Sequence, residues 1–83
     1  MNKDIEEVKR IINKATKGPW KSYIEGRDHT SGSSFIKTGD GDYDINFIKI
    51  RHEDQDFIAL SRNIIPELIM EIEELRAKLK KHE

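Results

Sequence analysis

Between Asp4 and Lys17 the apolar positions are Ile5, Val8, Ile11, Ile12 and Ala15, which recur at helical spacing. Charged and amide side chains fill the positions between them. Asn2 or Asp4 suits the cap of such a helix, and Glu6 and Glu7 suit its positive end. Gly18 is expected to act as a left-handed stop, and Pro19 prevents continuation. The pattern then changes to short apolar runs separated by turn residues. Trp20–Glu25, Phe35–Thr38 and Tyr43–Arg51 read as strands, and Gly39-Asp40-Gly41-Asp42 reads as a tight turn between the last two. These three strands predict an antiparallel meander. The third is expected to be apolar on both sides, with Ile45 and Phe47 on one and Ile48 and Ile50 on the other. Such a strand needs a bulge or cover on both faces, and a second copy of the chain could supply the cover.

Helical spacing returns after Arg51. Phe57, Ile58, Ala59 and Leu60 fall in one segment, with Asp54 and Asp56 suited to its first turn. Pro66 can open a second helix or lie within a continuous one. Beyond it, Ile65, Leu68, Ile72, Leu75 and Leu79 repeat in steps of 3, 4, 3 and 4, a short heptad pattern. That row fits packing against the first helix and the sheet, and it equally fits a seam between copies. With Ile65 at position a, Glu71 falls at g and Arg76 at the following e, a complementary pairing for a parallel partner. The predicted architecture over residues 1–83 is a single α+β domain: one helix, a three-stranded meander and a C-terminal helix pair that Pro66 either divides or leaves continuous.

Composition sets bounds on this picture. The chain has 83 residues, of which 37% are charged, and about a quarter are Ile, Leu, Val or Phe. That lies above the roughly 20% below which chains tend to stay disordered. A chain this short builds a small core, and without a single cysteine it has no disulfide to brace it. Self-association is one way to complete the burial. No cysteine also means no thiol chemistry and no cysteine–zinc site. The formal charge of −1 argues against a duplex-binding surface. Residues up to Lys37 carry eight basic and five acidic groups, against seven and eleven in the rest, which leaves room for a local anion site in the first half. No apolar leader and no run of roughly 20 apolar residues is present, so a cytoplasmic protein is expected.

Candidate chemistry is sparse. Asp40, Asp42 and Asp44 alternate like the start of a calcium loop, but Ile45 and Arg51 stand where glycine and a bidentate acid are needed. His52, Glu53, Asp54 and Asp56 could serve acid–base work, yet acids at that point suit a helix start. No serine lies in a nucleophile elbow, and no phosphate loop of the Walker type occurs. No catalytic residue, metal site or cofactor is therefore assigned, and an enzyme is not expected.

The stretch from Gly26 to Ser34 is the most suggestive. Arg27 offers a planar fork of donors and His29 an adaptable one, while Thr30, Ser31, Ser33 and Ser34 add hydroxyls. Gly26 and Gly32 could let backbone amides face an anion. Lys21 and Lys37 lie at the adjoining strand ends, and Trp20 or Tyr23 could stack on a base or ribose. Together they describe a site for a small phosphate-bearing ligand. The same stretch also reads as a plain surface loop.

The turn Ala15-Thr16-Lys17-Gly18-Pro19-Trp20 resembles one found in a group of small phage and prophage proteins. The tail resembles that group's second signature, with Asp54-Gln55-Asp56-Phe57-Ile58-Ala59, Arg62-Asn63, Pro66-Glu67-Leu68 and Leu75-Arg76 in order. Lys17 replaces the group's usual proline. The resemblance implies a phage context inside an infected bacterial host, where small proteins commonly act by binding. They block a host protein or sequester a nucleotide signal of host immunity. The matched residues imply a core contact between Trp20 and Phe57, and Arg62, polar within an apolar motif, is added to the candidate ligand residues. The expected function is a non-catalytic sponge for a phosphate-containing signal nucleotide. The alternative is an interaction module that inhibits or redirects a host protein through its C-terminal helix.

Overall fold

A computed structural model describes residues 2–30 and 32–81, and Ser31 of the candidate loop lies outside them. The element order is α1 (Asn2–Lys14), β1 (Lys21–Tyr23), β2 (Phe35–Lys37), β3 (Asp44–Asn46) and α2 (His52–Lys81). This is the expected α+β fold, with the two-helix alternative at the C terminus resolved as one helix of 30 residues that runs through Pro66. The strands form an antiparallel sheet in the order β1-β2-β3. The molecule is elongated, 57 × 22 × 19 Å, with α2 as its long element.

The meander has a tight pairing. Lys21 pairs with Lys37 and Lys37 with Asp44; Ser22 with Ile36 and Ile36 with Ile45; Tyr23 with Phe35 and Phe35 with Asn46. Because side chains alternate between faces, Ser22, Ile36 and Ile45 share the face turned to α2, and the other pairs share the outer face. Ile24 and Ile36 are completely buried, and Gln55 is the one polar side chain as deeply buried among the described residues. Its amide nitrogen lies 2.9 Å from Ser22 Oγ, 3.2 Å from the Tyr23 carbonyl oxygen and 3.0 Å from that of Phe35. One side chain of α2 thus ties together two strands. The amide nitrogen's donors have partners, whereas the buried Gln55 Oε1 accepts no hydrogen bond among the described residues.

α1 runs antiparallel to α2 along the half beyond Arg62. Lys9 Nζ donates to Glu73 Oε2 at 3.1 Å, and Arg76 donates to Asn2 Oδ1. Glu73, with Glu6 beside it, raises the Lys9 pKa above the ordinary lysine value. Ile5 on α1 and Ile69 on α2 are buried between the helices. Burial of both stabilises this contact by an estimated 3–5 kcal/mol in total.

Several sequence expectations are corrected. The third strand covers three residues, not Tyr43–Arg51, and Ile48 beyond it is fully exposed, so the double-sided strand does not form. α1 ends at Lys14, where Ala15 N donates to the Ile11 and Ile12 carbonyls. Gly18 is not left-handed: among the described residues only Gly26 and Gly32 have positive φ. Gly18 instead packs backbone to backbone on Gly39, whose N–H donates to the Lys17 carbonyl at 2.8 Å. A Cβ on Gly39 would come within 2.1 Å of the Gly18 carbonyl oxygen. Gly39 is therefore required by close approach rather than by a turn conformation.

Phe57 and Trp20 do not meet in the core. Phe57 is 69% exposed, because two residues along a helix turn a side chain by about 200° from the inward-facing Gln55. Trp20 is half-buried, with its indole N–H directed at the Thr16 carbonyl (3.0 Å) and that of Lys17 (3.2 Å). Asn63 holds the Trp20 backbone on both sides, accepting from its N–H and donating to its carbonyl, each at 2.7 Å.

Candidate functional site

The described residues expected to hold a ligand divide among four places. The first is the outer face of the sheet, which gathers Lys21, Tyr23, His29 and Lys37. The Tyr23 ring stacks on Phe35 with centroids 5.2 Å apart, and His29 stands edge-on to Phe35 at 5.3 Å. Lys21 Nζ lies 5.1 Å from the Tyr23 centroid. The Tyr23 ring thus already has an aromatic and an ammonium neighbour.

The second place is the joint between the Gly26–Ser34 stretch and α2. Arg27 makes a two-pronged contact with Asp56, at 2.8 and 3.1 Å, and also donates to Asp28 Oδ2. Asp56 further accepts from the Ser22 hydroxyl, and these bonds hold its carboxyl at a pKa of about 2. Arg27 and the backbone N–H of Ile24 likewise lower the pKa of Asp28. The guanidinium therefore meets two carboxylates, not an open anion site. The loop amides also turn inward: Gly26 N donates to the His29 carbonyl, and Gly32 N donates to Glu25 Oε2 at 2.7 Å. Positive φ at Gly26 (86°) and Gly32 (98°) makes both bonds possible. Thr30 is exposed beside them.

Trp20 and Arg62 form the third place, remote from the loop. Arg62 Nε donates to the Thr16 carbonyl at 3.2 Å, and its guanidinium lies 5.9 Å from the Trp20 ring. Arg62 pins the linker between α1 and β1 onto α2.

Ser33 and Ser34 lead to a cavity that the sequence did not reveal. A cleft of about 520 Å³ opens between the loop and the segment joining β3 to α2. Glu25, Gly32 and the two serines line one side. Phe47, Ile48, Lys49, Ile50 and His52 line the other. Its volume lies within the range of small-molecule sites. Hydroxyls, the Glu25 carboxylate, Lys49 and His52 share it with an apolar wall. Ser34 Oγ accepts from Glu25 N at 3.1 Å, which orients that hydroxyl. His52 was visible in sequence only as part of an acidic cluster, and Lys49 carried no local signal. Ile48 and Ile50 were legible as apolar, but as a strand face, not as a cleft wall.

The Asp40-Asp42-Asp44 alternation builds a turn, in which Asp40 Oδ1 accepts from Asp42 N and Thr38 Oγ1 donates to the Tyr43 carbonyl at 2.5 Å. Among the described residues no group of His, Asp and Glu stands where it could hold a metal ion. Among the described residues no helix is long and apolar enough to cross a membrane. No protein-family model matches the chain, and neither a curated protein nor a solved structure matches it.

Proposed function

We propose that the protein is a non-catalytic binding protein that sequesters a phosphate-bearing nucleotide in the cleft between the Gly26–Ser34 loop and Phe47–His52. The cleft itself carries this reading: a volume of about 520 Å³ combines Ser33 and Ser34 with Lys49 and His52 and an apolar wall. Hydroxyls and the Lys49 ammonium suit phosphate, and the half-buried Phe47 and Ile50 suit the flat apolar faces of a base or ribose. The resemblance to phage proteins directs the choice of nucleotide towards signals of host immunity. Calorimetric titration against cyclic oligonucleotides and ADP-ribose derivatives tests it. Binding of one such compound, weakened at least tenfold by Lys49→Ala, is the expected result, and silence across the panel would refute it.

A second reading is favoured by a separate observation. α2 exposes a long row of large apolar side chains, from Phe57 to Leu79. In this reading the chain is an interaction module that presents α2 to a host protein, and affinity capture from host lysate recovers a stoichiometric partner.

A further inference from the structure

The apolar row on α2 has a symmetry that bears on what covers it. Around the helix axis Phe57, Ile64, Leu68, Leu75 and Leu79 fall within about 60° of one another. Leu60, Ile65 and Ile72 flank them. Ile72 is half-buried, and the other seven are between 36% and 69% exposed. The opposite side of α2 already has its cover, from the sheet at Gln55 and Ala59 and from α1 at Ile69. Monomeric proteins seldom leave an apolar strip of this length open.

The row is nearly palindromic about Leu68. Ile64 and Ile72 stand four residues to either side, and Phe57 and Leu79 stand eleven to either side. Leu60 stands eight before and Leu75 seven after. A two-fold contact between identical surfaces requires this kind of self-complementarity, since whatever residue i touches on its partner must touch i in return. Charge follows the same symmetry. The first turn of α2 carries Glu53 and Asp54, and its last turn carries Lys78, Lys80 and Lys81. An antiparallel pair brings each acidic end to a basic end, whereas a parallel pair sets like charges together.

We infer that the α2 row is covered by the α2 row of a second copy, antiparallel, with the two-fold axis at Leu68. Leu68 packs on Leu68 of the other copy, Ile64 on Ile72, and Phe57 on Leu79. At the observed exposures the row leaves roughly 800 Å² of apolar surface open per copy, the share each partner brings to an interface of standard size. The pairing does not depend on the nucleotide reading, because the cleft lies on the sheet side of the molecule.

Light scattering coupled to gel filtration, together with single-cysteine cross-linking of the full chain, tests the pairing. The chain has no cysteine of its own, so each introduced thiol reports alone. The unaltered protein is expected to have the mass of two chains. Leu68→Cys should form a disulfide-linked dimer on mild oxidation. Leu79→Cys should not do so alone, but should cross-link when mixed with Phe57→Cys. Leu68→Glu should shift the mass to one chain with its helical circular dichroism retained. Met70→Glu, on the other side of α2, should keep the mass of two. A single-chain mass for the unaltered protein at every concentration overturns the proposal, including the case in which a host protein binds the row instead. Cross-linking of Leu79→Cys as ready as that of Leu68→Cys overturns the antiparallel arrangement, and a two-chain mass for Leu68→Glu overturns the assignment to this row.

Discussion

The two halves of α2 are held by different means. From His52 to Asn63 the helix is knit to the sheet, the Gly26–Ser34 loop and the α1–β1 linker by polar groups: Gln55 to Ser22 and two strand carbonyls, Asp56 to Arg27, Arg62 to the Thr16 carbonyl, and Asn63 to both sides of Trp20. From Pro66 onward it is held by α1 alone, through Ile5 and Ile69 and the ion pair of Lys9 with Glu73. Hydrogen bonds are directional, so the first half has one geometry available and its polar groups are engaged within the chain. Apolar burial is not directional, and a single helix of 13 residues covers only one side of the second half. The polar face of the first half positions a cleft, and the outward row from Phe57 to Leu79 still has surface to bury.

Damage to the polar half should be severe and independent of protein concentration. The largest effect is expected from Gly39→Ala, where the new Cβ meets the Gly18 backbone and neither chain segment can retreat cheaply. A loss of about 3 kcal/mol or more in urea unfolding is expected, well beyond the small gain an alanine usually brings by restricting the unfolded chain. A neutral outcome would show that the two segments separate without cost. Gln55→Leu comes next, at about 2–3 kcal/mol, because it removes the amide that serves Ser22, Tyr23 and Phe35 inside the core. Its unfolding midpoint should fall equally at high and low protein concentration, which separates it from any change in the α2 row.

The smallest effect concerns Asp56. Its pKa of about 2 lies below the ordinary aspartate value of 3.8, so the folded state binds the proton less readily than the unfolded one. The stabilisation from its contact with Arg27 is therefore present in full above about pH 4 and is lost as pH falls towards 2. Both side chains are more than a third exposed, so solvent and salt weaken the contact. Unfolding measured from pH 5 to pH 2 should show a shallow decline that Arg27→Ala flattens and added salt reduces. An unchanged slope in the variant would place the decline at other carboxylates.

Much of the architecture was readable from local pattern. The helical spacing of Ile5, Val8 and Ile12, the short apolar runs and the Asp-Gly turn located five elements in order, because each signal is carried by neighbours in sequence. The errors share a cause as well. Tyr43–Arg51 is apolar enough for a long strand, yet pairing stops at Asn46 because β2 offers only three residues of partner. Phe57 sits in a motif of apolar residues, yet Gln55, two places earlier, faces the sheet and turns Phe57 outward. Arg27 has the chemistry of an anion receptor, yet Asp56, 29 residues away, satisfies it. Of the expected ligand residues that the structure describes, only Ser33 and Ser34 line the cleft, and Lys49 and His52 come from a segment distant in sequence.

Sequence alone determined the class of fold, the lack of thiol chemistry and the apolar row on the last helix, since composition and periodicity are properties of the chain before it folds. Tertiary structure decided the rest. It ran one helix through Pro66, used Gly39 for close approach, neutralised Arg27 and opened a cleft beside Ser33 and Ser34. These outcomes depend on which distant groups come within hydrogen-bonding or van der Waals reach, and neither distance nor burial is encoded in the spacing of neighbours.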